Sequence, residues 1–210
     1  MKNFSASRSR INAVALAAMF AAVSSVLQFF EFPLPFIIPS FVKFDFSDLP
    51  ALLASFSLGP VYGAVVCLVK NVIHLLVTQS GGVGELANFL IAVFFVVPAG
   101  IIYKLRRTRA GALAGSLAGT VAAAAASFPI NLWISYPFYS NFMPIDTIID
   151  MYNQIFNVVG ELWQALLIFN LPFTALKCIV TALLALLVYK PLSLFFKRVV
   201  NGGKSVQKNS

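Results

Sequence analysis

Charge is scarce in this chain. Fifteen Lys and Arg and seven Asp and Glu make up 10% of its 210 residues, while hydrophobic residues make up 60%. Soluble domains carry about 25% charged residues, mostly on the surface. So few charges cannot clothe a water-facing surface around so much apolar material, which excludes an ordinary soluble domain. Cysteine and histidine are scarcer still. Cys67 and Cys178 lie inside apolar runs and His74 is the one histidine, so neither a disulfide framework nor a Cys/His metal site is expected. The sequence also lacks a Gly-rich phosphate loop, a His-Glu-x-x-His and a Gly-x-Ser-x-Gly, so nothing points to nucleotide hydrolysis or to these hydrolase chemistries. The net charge of +8 does not indicate nucleic acid, because its cations are sorted along the chain rather than gathered on a soluble face.

What the chain has in abundance is long apolar runs. Crossing the hydrocarbon core takes about 20 apolar residues in a helix. Ile11–Phe30 fits and reads as a retained first span, too long for a signal peptide. Asp48–Leu58 is apolar but short, and Gly59-Pro60 divides it from Val61–Val77. Gly84–Tyr103, Ala110–Tyr136 and Glu161–Tyr189 complete the set. The expected fold is all-α: a six-helix transmembrane bundle over residues 11–196, with polar tails at 1–10 and 197–210.

Twelve of the fifteen cations fall in three segments: Lys2, Arg8 and Arg10; Lys104, Arg106, Arg107 and Arg109; and Lys190, Lys197, Arg198, Lys204 and Lys208. With six spans these segments share one side, and all seven acids fall on or near the other. By the positive-inside rule both termini are cytoplasmic in a multi-pass cell-membrane protein.

The remaining cations are Lys43, in an outer loop, and Lys70 and Lys177, inside apolar helices. A Lys at a helix centre costs about 2.5–3.5 kcal/mol to insert, so such residues face the bundle interior and usually serve a function. Asn170, Thr174 and Lys177 share one helical face, and Pro172 is expected to kink the helix there. A ligand contact at Lys177 outweighs a purely structural ion pair. Asn131 offers an amide suited to the imide edge of a planar heterocycle; from position alone, an interhelical hydrogen bond explains it equally well. Lys70, Asn71 and His74 read as a structural polar network, with Asp48 or Glu85 as counter-charge. The acids are expected on the outer rim. Ala13, Ala17 and Ala21 repeat every fourth residue, as do Gly111, Gly115 and Gly119, a spacing that lets helices approach closely. Internal packing is the default for the glycines. The alanines equally suit a partner subunit.

Several motifs, in order, resemble a known family. Lys43-Phe-Asp-Phe-Ser-Asp-Leu-Pro-Ala-Leu-Leu, Leu58-Gly-Pro, Val69-Lys-Asn-Val-Ile-His-Leu-Leu and Gly84-Glu-Leu-Ala-Asn-Phe are similar to the riboflavin-specific substrate-binding (S) component of energy-coupling factor (ECF) transporters. Phe128-Pro-Ile-Asn-Leu-Trp and Pro172-Phe-Thr-Ala-Leu-Lys resemble that family's fifth and sixth helices. The likeness spans nearly the whole chain.

The resemblance implies a six-helix S-component fold, no enzymatic activity, no cofactor, and capture of riboflavin from outside, with FMN left open beside it. Energy then comes from a transmembrane coupling protein and two cytoplasmic ATPases. It implies that the loop around Lys43 to Asp48 closes over the ligand and that Asn131 and Lys177 contact it. Thr174 stands where the family often has Asn, with Asn170 one turn away to compensate. Phe46, with Phe44, covers the ring, and Gly84 and Asn88 join the site. The alanine face at Ala13, Ala17 and Ala21 matches the family's contact with the coupling protein. The alternatives are a component for another vitamin, a non-binding structural subunit, or a small intramembrane enzyme using Lys70, His74 and Glu85.

Overall fold

The computed structural model describes the backbone of residues 2–201 and the side chains of residues 10–188. The side chains of Lys2, Arg8, Lys190, Lys197 and Arg198, and the segment 202–210 with Lys204 and Lys208, lie outside the described residues. Helix α1 runs Lys2–Phe29, so the expected amino-terminal tail is continuous with the first helix. A loop with a two-residue hairpin follows, β1 (Phe32–Pro33) pairing antiparallel with β2 (Lys43–Phe44). Then come α2 (Asp48–Ser57), α3 (Pro60–His74), α4 (Val83–Leu105) and α5 (Arg109–Ile130). Helix α5 continues through a π turn, Asn131–Ser135, into α6 (Tyr136–Tyr139). A short surface helix, α7 (Ile145–Asn153), leads to α8 (Leu162–Ala165), a second π turn at Leu166–Asn170, and α9 (Leu171–Asn201).

Among the described residues five helical stretches are long and apolar enough to cross a membrane: Arg10–Phe29, Pro60–Val77, Val83–Leu105, Arg109–Tyr139 and Leu162–Val188. The expected sixth, α2, is ten residues, about 15 Å at 1.5 Å per residue, half of a ~30 Å hydrocarbon core. It is buried along nearly its whole length. The chain then reverses at Gly59, whose φ of +115° excludes most side chains. Pro60 opens α3, where its missing N–H costs no helical bond. This turn is half-buried and packs near the far end of α4. A Cβ on Gly100, near the far end of α4, would lie 3.2 Å from Pro60 and 2.0 Å from Ser55 Oγ. Helix α2 therefore begins well inside the bundle, and the loop before it dips inward.

The glycine series is internal packing. Helices α4 and α5 run antiparallel in backbone contact: a Cβ on Gly115 would meet the Ala99 carbonyl at 2.6 Å, and one on Gly119 the Phe95 carbonyl at 2.2 Å. The alanine expectation needs correction. Ala17 and Ala21 are buried, beside Leu16 and Phe20 in the apolar core, and Ala13 is half-buried. The alanines that face outward are Ala15, Ala18 and Ala22, accompanied by Val14 and Val26. The cationic connection at Lys104–Arg109 is exposed.

Candidate functional site

A cavity of about 640 Å³ lies between the dipping loop, α4, α6, α7 and α9, within the roughly 300–1,000 Å³ of small-molecule sites. The α4 stripe is Gly84, Ala87, Asn88, Ile91, Ala92 and Phe95, one helical face whose small residues leave room for a guest. A Cβ on Gly84 would sit 2.7 Å from Ser80 Oγ and 3.3 Å from the Tyr139 hydroxyl. On the other side, Asn170, Thr174 and Lys177 share the lining face expected of them.

Both π turns serve this wall. In each, an N–H reaches back five residues, Tyr136 to the Asn131 carbonyl and Leu171 to the Leu166 carbonyl, and a proline follows at Pro137 or Pro172. A proline ring in an α-helix clashes with the carbonyl four residues earlier, here Trp133 and Ile168, both inside the widened turns. The extra residue relieves that clash and re-aims the side chains, as π bulges at functional sites do. Asn131, Ser135 and Asn170 all lie in these turns and line the cavity. Among the described residues neither Asn88 nor Asn131 has a side-chain hydrogen-bond partner, so both amides keep their capacity for a guest.

Two acids and two lysines close a buried ring beside the cavity. Lys177 Nζ lies 2.8 Å from Asp45 Oδ2 and 3.5 Å from Asp48 Oδ2, and Lys70 Nζ lies 2.6 Å from Asp48 Oδ1. Ser47 completes the circuit, accepting from Lys70 and donating to Asp45 through its hydroxyl, with its N–H 2.7 Å from Asp45 Oδ1. Lys70 is fully buried. The charges sum to zero, which is the condition under which such a set survives in a low-dielectric interior. Burial on its own would raise the Asp45 carboxyl; Lys177 and Lys70 outweigh it and hold the group well below the usual carboxylate range.

Asp45 and Asp48 are thus not on the outer rim as expected, because the loop carrying Asp45 and the short α2 carrying Asp48 start inside the bundle, whereas Asp146, Asp150 and Glu161 are exposed. The proposed intramembrane catalytic cluster is also divided. Lys70 belongs to this ring, whereas His74 Nδ1 pairs with Glu85 at 2.9 Å, and Glu85 accepts further bonds from Thr78 and Ser80. Nearer the loop, Lys43 bonds Glu31 at 2.6 Å and Gln79 at 3.1 Å.

Of the sequence candidates, Asn131, Lys177, Thr174, Asn170, Gly84 and Asn88 line one cavity. Phe46 does not. Its ring packs on Phe32 and Phe44, at 6.3 and 5.2 Å between centroids, and the aromatic lining is instead Phe41, Phe95, Phe138, Phe142 and Phe173 with Tyr136 and Tyr139. Sequence reasoning missed Asp45, Tyr136 and Tyr139. The Tyr-Pro step at 136–137 was the available signal for a distorted helix.

Comparison with known proteins agrees with this geometry. Residues 12–189 match the family model "ECF transporter, substrate-specific component". The chain is 32% identical to the riboflavin transporter RibU of Staphylococcus aureus, covering 87% of this chain and 90% of that protein. It is 27% identical to the riboflavin transporter FmnP of Bacillus subtilis, covering 86% and 91%. A solved structure titled as the S component of a bacterial ECF transporter superposes with a TM-score of 0.71 at 31% identity, covering 90% of this chain and 99% of that one. Matched along most of its length in sequence and in fold, the chain belongs to the family of ECF transporter substrate-specific components.

Proposed function

We propose that this S component binds riboflavin and presents it for uptake, with no chemistry of its own. The observation that carries this reading is the single cavity that gathers Asn131, Asn170, Thr174 and Lys177 among aromatic side chains. A flat ring system with a polar edge needs that combination. Burying on the order of 300 Å² of ring at about 25 cal/mol per Å² contributes several kcal/mol before association costs. Amide and ammonium groups then orient the polar edge and the hydroxylated tail. Two relatives named as riboflavin transporters support the choice of ligand.

The exposed cationic connection at Lys104–Arg109 supports an orientation with both termini in the cytoplasm, which turns the Lys43–Glu31 loop outward. Energy comes from a separate coupling protein and ATPases, and the outward alanines Ala15, Ala18 and Ala22 form the face on α1 that suits close helix packing with such a partner. Mass spectrometry of the small molecule that co-purifies from flavin-supplied cells tests the ligand. Riboflavin is the expected mass; a different vitamin in its place rejects the assignment.

A further inference from the structure

Three buried polar side chains close a hydrogen-bonded ring beside the cavity: Tyr136 on α6, Tyr152 on α7 and Asn170 in the second π turn. The Tyr152 hydroxyl lies 2.6 Å from Asn170 Oδ1, Asn170 Nδ2 lies 3.1 Å from the Tyr136 hydroxyl, and the two hydroxyls bond each other directly. Their exposures are 0% for Tyr152, 1% for Tyr136 and 4% for Asn170. O–H···O bonds cluster near 2.7–2.8 Å and N–H···O bonds near 2.9–3.0 Å. The shorter contact is therefore the phenol donating to the amide oxygen, and the longer one is the amide donating to Tyr136.

A phenol has one proton. Tyr152 gives its proton to Asn170, so Tyr136 must give its own to Tyr152, and the ring runs in one direction. Burial, reinforced by Tyr136, pushes the Tyr152 phenol well above its ordinary value, so the proton stays in place. The one donor left over is the second N–H of Asn170. Asn170 and Tyr136 line the cavity, and Tyr152 is not among the lining residues.

We infer that Tyr152 is a positioning residue for ligand recognition, locking the Asn170 amide so that it presents an N–H donor to the guest. This rests on the riboflavin reading and deepens it: the ligand must bring an acceptor, a carbonyl or hydroxyl oxygen or an unprotonated ring nitrogen, to Asn170.

The test is a double-mutant cycle on the full chain in detergent, with riboflavin Kd read by fluorescence quenching. Tyr152→Phe should weaken binding about five- to tenfold, the scale of one oriented hydrogen bond. In an Asn170→Ala background the same substitution should change Kd by less than about twofold, because the amide it orients is gone. An unchanged Kd in Tyr152→Phe, or an equal loss with and without Asn170, overturns the assignment while leaving the riboflavin reading intact. If Tyr152→Phe does not fold, Tyr136→Phe carries the same prediction of non-additivity with Asn170→Ala. No binding by the unmodified chain overturns both readings.

Discussion

Lys177 stands in two roles at once, ion-pair partner and cavity wall, and the structure predicts how they separate. Lys177→Met takes the ring of Lys70, Lys177, Asp45 and Asp48 from zero to one uncompensated negative charge. Removing one partner of a buried ion pair costs about 3–5 kcal/mol. At roughly 2–4 °C of Tm per kcal/mol for a chain of this size, the melting temperature should fall by on the order of 10 °C. Asp45→Asn added to Lys177→Met restores neutrality, leaving Lys70 with Asp48. The double variant should therefore regain most of the lost Tm yet still bind riboflavin weakly, because the ammonium facing the cavity is absent. Thermal unfolding in detergent and fluorescence-quenching titrations on the same samples read the two quantities. If the double variant regains affinity along with Tm, Lys177 only holds the fold. A single variant with no loss of Tm would show that the ring is not an electrostatic unit.

Three further outcomes follow from the same geometry. Asp45 has its folded-state pKa held below its unfolded value of about 3.9, so its stabilisation is complete above that value and is lost as pH falls through the acid range. The Tm of Asp45→Asn should thus be less sensitive to acid below about pH 4 than that of the unmodified protein; parallel curves contradict the assignment. Gly119→Ala puts a methyl 2.2 Å from the Phe95 carbonyl and should destabilise by about 1–3 kcal/mol through forced separation of α4 and α5, measured as a lowered Tm. Ala17→Leu, pointing inward, should reduce both stability and binding. Ala18→Leu, pointing outward, should spare riboflavin binding and impair uptake by cells, and equal effects of the two would contradict the rotation of α1 described above.

Much of the architecture was legible because the hydrocarbon core imposes a length of apolar helix that few other structures need. Lys177 and Lys70 stood out for the same reason: an ammonium in an apolar run demands an explanation. Depth was not legible. Nothing in the run from Lys43 to Leu58 states that its loop dips inward, so Asp45 and Asp48 read as rim acids when both are partners of intramembrane lysines. Rotation about α1 was equally hidden, because alanines recur every fourth residue both at 13, 17 and 21 and at 18 and 22. Tyr152 gave no signal, since it lies between the expected spans Ala110–Tyr136 and Glu161–Tyr189, where no helix was expected, and only the structure shows α7 there. Phe46 illustrates the converse: its motif pointed at the ligand, while alternation along the loop turns its ring onto Phe32 and Phe44.

The most direct measurement is a fluorescence-quenching titration of the purified full chain with riboflavin, in the absence of ATP and partner subunits, beside Asn131→Ala. Saturable quenching at one riboflavin per chain is expected, with affinity reduced about tenfold or more in Asn131→Ala, whose amide has no other partner among the described residues. A folded, monodisperse chain that leaves riboflavin fluorescence unchanged, or an Asn131→Ala protein that binds as tightly as the unmodified one, would contradict the account.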